Sequence, residues 1–213
     1  YKHRAMRILG VPEVEITGAA DSKKKFDRWA DSVPQLVGNP LFDWTAMELY
    51  RYFGVTEMLS PDSADRIWAH CEKCLQSQDF SARGLLRQGQ IEVVCTSDLM
   101  EDDLTAHQRL KESDLELRIL PSLRDASHVD GARFSEFEAL GCVIADHAVS
   151  SPDDLKELDV LAEAYAERGW VLQLHLGAMR NTSSRLRELA GPTGGYAGMS
   201  VRFDPKPVSQ FLF

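Results

Sequence analysis

Through residues 1–89 apolar side chains recur at three- and four-residue intervals, the spacing of one helix face. Asp21 stands where an N-cap belongs, ahead of Phe26, Trp29 and Val33, and Pro34 closes that stretch. A second helix is predicted from Thr45 to Phe53, with Met47, Leu49, Tyr50 and Phe53 apolar and Gly54 as its C-cap. Ser60-Pro61-Asp62 opens a third, with Pro at the first helical position and Ile67, Trp68, Cys71 and Leu75 forming its stripe.

Beyond Gly89 the rhythm changes. Ile91-Glu92-Val93-Val94-Cys95, Leu117-Arg118-Ile119-Leu120, Cys142-Val143-Ile144-Ala145 and Trp170-Val171-Leu172-Gln173-Leu174 are short apolar runs of strand type. Helical stretches separate them: Asp102 to Lys111, Phe134 to Leu140, and Pro152 to Arg168, the last ending at Gly169. Alternating strands and helices predict a parallel sheet covered on both faces. Each run is followed by polar groups: Thr96-Ser97-Asp98, Pro121-Ser122-Leu123-Arg124, Asp146-His147, and His175. A (β/α) barrel gathers its site at the C-terminal ends of its strands, because the βα loops converge there. The predicted fold class is therefore α/β, a (β/α)8 barrel of TIM type. Residues 1–89 are read as a mainly helical accessory region and 90–213 as a partial barrel. A complete barrel takes eight strands and about 250 residues, and four strands are legible. The 22 steps from Arg124 to Asp146 are short for a βαβ unit of about 30 residues or more, so segments of the barrel are expected to be absent.

Composition narrows the class. A net charge of −9 argues against nucleic acid as a partner, which would need clustered Lys and Arg. Lys23-Lys24-Lys25, the one basic run, reads as a solvated helix start. No apolar run reaches the ~20 residues of a membrane span, and no signal peptide is visible. Four scattered cysteines do not make a disulfide framework and suggest a reducing cytoplasm. Cys71 and Cys74 form a CxxC, but inside a helical pattern with no second pair, so they read as small core-facing residues. The sequence opens on Tyr1 and ends on Phe211-Leu212-Phe213, which suggests part of a longer product.

Several segments carry a resemblance: YKHRAMRILGVP (Tyr1 to Pro12), GNPLFDWTAMELYRYFGV (Gly38 to Val55), VVCTSD (Val93 to Asp98) and LPSLR (Leu120 to Arg124). LGCVIADHA (Leu140 to Ala148), RGWVLQLHLGAMRN (Arg168 to Asn181) and GPTGG (Gly191 to Gly195) continue it. In that order they resemble uronate isomerase, a family of the amidohydrolase superfamily that interconverts aldo- and keto-uronates on a barrel of the metal-dependent hydrolase kind. The resemblance implies D-glucuronate/D-fructuronate and D-galacturonate/D-tagaturonate interconversion, a divalent metal such as zinc, and a cytoplasmic location. Enzymes of this kind are often homo-oligomers. The family's His-x-His metal pair and closing Asp are not in this sequence, His3 stands for a usual Trp, and Asp43 stands where His is frequent.

Aldose–ketose isomerisation moves a proton between C1 and C2 through an enediol, so the site must hold the carboxylate and place a proton carrier. Arg124 and Arg180 are the candidate carboxylate clamps, since a guanidinium fork matches two oxygens. His147 is a candidate substrate contact and Asp146 a substrate-side orienter. The resemblance gives Tyr1 and His175 roles next to the reacting carbons, and His175 is the one candidate for a metal ligand. Asp98 is expected to bond neighbouring loops or a substrate hydroxyl, or to cap the helix that follows. The Gly191–Gly195 loop lacks the Gly-Lys-Ser/Thr ending of a phosphate cradle and reads as a loop beside the site. Two other readings stay open: a metal-dependent hydrolase on the same barrel, and a barrel relative without catalysis.

Overall fold

Helix α1 (Lys2–Ile8) leads into α2 (Ser22–Ser32), where the Asp21 side chain accepts a hydrogen bond from Lys24 N at 2.8 Å. The coordinates are a computed structural model that describes residues 1–113, 116–192, 194–199 and 204–212; Thr193 of the glycine-rich loop and Phe213 lie outside them. Helix α3 spans Pro40–Phe53, five residues earlier than its apolar spacing suggests, because Asn39 caps it by accepting from Leu41 N and Pro40 fits the first helical position. It ends at Gly54, whose φ of 67° is the left-handed conformation that a side chain resists.

Helix α4 (Ala64–Leu75) starts later than expected. The Ser63 hydroxyl takes the amide of Ser60 and donates to Met58 O, closing Ser60–Ser63 as a turn. Helix α5 (Ala82–Gln88) follows. The apolar faces of these helices meet in a core that includes Met6, Trp29, Val33, Leu36, Leu41, Leu49, Leu59 and Ile67. Arg7 grips Glu13 through Nε and Nη2 at 2.7 Å each, which holds the Glu13 carboxyl down at about 2.

The alternating region supplies parallel strands. β1 (Val93–Cys95) is followed by α6 (Thr105–Lys111) and pairs with β2 (Arg118–Leu120). Pro121 has no amide hydrogen and interrupts the strand, but beyond it Leu123 still bridges to Asp98, just after β1. The chain resumes as β3 (Leu123–Arg124), whose other edge pairs with β4 (Ile144–Val149). Helix α7 (Gly131–Ala139) links β3 to β4, and α8 (Pro152–Glu167) links β4 to β5 (Val171–Leu176), giving a parallel sheet in the order β3-β4-β5. Both long strands run further than their apolar runs suggest. Asp146, His147 and His175 therefore lie within strands and not beyond their ends.

The core under this sheet includes Leu123, Phe134, Phe137, Ala145, Val149, Leu161 and Tyr165. The rings of Phe134, Tyr165 and Trp170 lie 5.6–5.8 Å apart, an aromatic cluster between helices and sheet. A short β6 (Ala178–Met179) precedes α9 (Ser184–Ala190) and pairs antiparallel with β7 (Gly198–Met199); α10 (Lys206–Leu212) packs on α8 with Val208 and Phe211 against the same core.

By contacts the chain divides into two units, Tyr1–Gln90 with Arg180–Ala197, and Ile91–Met179 with Gly198–Phe213. Helix α9 thus belongs to the helical unit. Among the described residues no helix is long and apolar enough to cross a membrane.

Candidate active site at the strand ends

Strand register decides which side chains meet. Arg124 pairs with Asp146, Asp146 with Gln173, and Ala148 with His175. Side chains alternate along a strand, so Arg124, Asp146, Gln173 and His175 share one face while Leu123, Ala145, His147 and Leu174 share the other. The first face carries the charges. Asp146 is only 6% exposed, and a buried carboxylate needs donors around it. The Ser122 hydroxyl donates to its Oδ1 at 3.2 Å, Arg124 Nη1 lies 3.7 Å from its Oδ2, and His175 Nε2 lies 3.5 Å from the same oxygen. That imidazole nitrogen sits between Asp146 and the Gln173 amide, 3.1 Å away. Arg124 also donates from Nη1 to Ser97 Oγ at 3.1 Å. Arg124 and His175 are thus brought together on one carboxylate, each about a third exposed.

His147 is placed differently from its neighbour. The sequence reading sets it beside Asp146 as a substrate contact, but alternation turns its ring into the helix-side core. There its Nε2 meets the Tyr165 hydroxyl at 2.9 Å. Burial lowers the His147 pKa, against the pull of the Asp125 and Asp146 charges, and raises those of Tyr165 and of Cys142, the last to about 11.

The end of β1 adds a second polar cluster. Thr96 Oγ1 donates to Asp98 Oδ2 at 2.5 Å, and His107 Nε2 lies 3.2 Å from Asp98 Oδ1. Ser122 N donates to Asp98 Oδ2, while Arg124 N donates to Asp98 O at 2.8 Å. Asp98 therefore ties neighbouring strand ends together and does not cap α6, whose N-cap position is Leu104. His107 was not singled out from the sequence. Its signal is there in the spacing, since Leu104, His107 and Leu110 fall on one stripe and place a histidine at an inward position.

Tyr1 and Arg180 belong to the helical unit. Tyr1 is 85% exposed and lines an open cleft of about 220 Å3 with Arg4, Ile8, Asn39 and Trp44. Arg180 is exposed. In the glycine-rich loop, Gly195 at φ 78° approaches His3 so closely that a Cβ there would lie 3.2 Å from the His3 Cβ. The Tyr196 hydroxyl closes the loop onto Gly191 O at 2.7 Å.

Among the described residues no three His, Cys, Asp or Glu side chains are placed to hold a metal ion. Asp146 and His175 are two donors, and Asp146 is already engaged by Ser122 and Arg124, so the residues present do not make a metal seat. Cys74 Sγ approaches His70 Nε2 at 3.6 Å, but that nitrogen is also 2.8 Å from Phe53 O, within hydrogen-bond distance.

The family model described as glucuronate isomerase matches residues 1–157 and 154–212, two stretches that meet inside α8. The uronate isomerase of Oceanobacillus iheyensis is 36% identical over 274 residues, taking in all of this chain and 58% of that protein. The uronate isomerase of a Marinomonas species is 34% identical over 276 residues, with the same full coverage and 59% of its own length. Both spans exceed the 213 residues of this chain, so these relatives carry internal residues that it lacks. Of solved structures, uronate isomerase from Thermotoga maritima superposes with a TM-score of 0.85 at 25% identity, over 99% of this chain and 60% of that one. Glucuronate isomerase from Caulobacter crescentus gives 0.84 at 18% identity, over 99% and 58%. The fold expectation, part of a TIM-type barrel with helical additions, agrees with these neighbours.

Proposed function

The chain belongs to the glucuronate isomerase family, and on that premise we propose that it carries sugar-acid chemistry of the aldose–ketose isomerase kind. It spans 58% of the length of the Oceanobacillus relative it matches. The proposed reaction interconverts D-glucuronate with D-fructuronate, and D-galacturonate with D-tagaturonate. The observation that supports it best is the meeting of Arg124 and His175 on Asp146 at adjoining strand ends.

A cation and an imidazole sit there on one face, each about a third exposed, beside one buried carboxylate. Arg124 is suited to an anionic or hydroxyl oxygen of the substrate. His175 would carry the proton that moves between the substrate carbons. Asp146 sets the direction of both. Tyr1 and Arg180 enter the reading through the resemblance, and each is tested by its own alanine variant.

A divalent metal, zinc in the resemblance, has no seat among the described residues. Elemental analysis of the purified protein tests that part of the reading. Cytoplasmic residence and self-association complete it and are checked by cell fractionation and light scattering.

The deciding assay incubates the purified protein with D-glucuronate or D-galacturonate and follows the ketose by NMR. Arg124→Ala and His175→Ala are each expected to lower kcat/KM by about 10²-fold or more. No ketose from either uronate, or variants that match the parent, would sink the reading.

A further inference from the structure

Asp125 is one of two non-glycine residues with positive φ among those described, at 46°. An L side chain resists that conformation, and Asp tolerates it better than most because its short carboxylate bonds locally. Here the surroundings over-determine it. Its amide donates to Asp146 O at 2.9 Å, its Oδ1 accepts from Ala148 N at 2.9 Å, and its Oδ2 faces Arg124 Nε at 3.3 Å. The residue thus bolts the end of β3 to the end of β4 and turns the other oxygen of the same carboxylate onto the guanidinium.

Backbone strain of this kind persists where a neighbouring group has to be aimed. The rest of the Arg124 environment shows what is aimed. Nε is taken by Asp125, and Nη1 by Ser97 with Asp146 behind it. Among the described residues Nη2 has no acceptor, which leaves it open to one.

We infer that Asp125 is the positioning residue for Arg124. It holds the guanidinium so that Nη2, and not the whole fork, faces the substrate oxygen. This rests on the sugar-acid reading for its substrate, but the geometry it asserts is separable from it.

Asp125→Asn keeps the tolerance for positive φ and an acceptor for Ala148 N while removing the charge that faces Arg124. Asp125→Gly relieves the backbone and removes the side chain. Both are expected to raise KM for uronate by about tenfold or more, as loss of a charge-assisted contact implies, with kcat moving less. In an Arg124→Ala background the same changes are expected to cost nothing further. A parallel readout is the Arg124 Nε–H signal in 15N NMR, sharp in the parent and broadened or lost in Asp125→Asn.

An Asp125→Asn protein with the parent's KM and an unchanged Nε–H signal overturns the proposal, as do losses that simply add in the Arg124→Ala background. A parent that turns over no uronate defeats the reading of the previous section, and the Nε–H signal then still decides Asp125.

Discussion

Asp146 and His147 are neighbours on β4 and almost equally buried, at 6% and 4%, yet the two faces of the sheet treat them in opposite ways. On the open face Asp146 accepts from a serine hydroxyl and lies beside a guanidinium and an imidazole. On the helix face His147 meets the hydroxyl and ring of Tyr165, and burial favours its neutral form. Burial by itself therefore does not mark a site residue. The chemistry of the partners does, and one face is built to hold charge while the other is built to hold shape.

The sharpest break between the faces is expected from Phe134→Ala. Phe134 is fully buried at the centre of the aromatic cluster, stacked on Tyr165 and crossed by the Arg168 guanidinium at 5.2 Å. Removing it should cost about 3–5 kcal/mol of stability, read by denaturant unfolding. A loss below about 1 kcal/mol would mean that the helix face is not packed as described.

Asp146→Asn tests the other face, where the order of effects should reverse. Asn keeps the size and an acceptor for the Ser122 hydroxyl but removes the charge that Arg124 and His175 share. Uronate turnover is expected to fall about 10²-fold, while unfolding free energy moves by about 1 kcal/mol or less. If instead several kcal/mol of stability disappear and turnover per folded molecule is retained, the two faces do not differ in the way proposed.

The same contrast explains what the sequence could tell. The alternation of strands and helices was legible because apolar periodicity is local, and the strand ends were legible because Arg124, Asp146 and His175 each follow an apolar run. Which face a residue takes was not. β4 and β5 continue past their apolar runs, and the parity of an adjacent pair depends on ladder pairing, which no short window contains. His147 was therefore set beside Asp146 when it lies across the sheet from it. The end of β2 was written in Pro121, but that Leu123 beyond it stays bridged to Asp98 while it also pairs with β4 is again a matter of tertiary contact. His107 was missed because an inward histidine on a short helix looks like any amphipathic position until Asp98 is found opposite it.

The smallest expected effect isolates His147 by pH. Its folded pKa lies below the ordinary imidazole value of 6.5 because burial opposes the charged ring, with Asp125 and Asp146 pulling the other way. The unfolded chain therefore takes up the proton first as pH falls. Stability from this group is complete above pH 6.5 and declines as pH drops from there toward the folded pKa. One proton limits the slope to about 1.4 kcal/mol per pH unit. Glu13 does not interfere, since its contribution is present above 4.5 and is lost only as pH falls toward about 2. Urea unfolding of the parent and of His147→Gln between about pH 5 and 7 cancels every other titrating group. The parent should lose stability across that interval while the variant loses less. Parallel curves would place His147 among solvated imidazoles and remove the contrast between the two sides of β4.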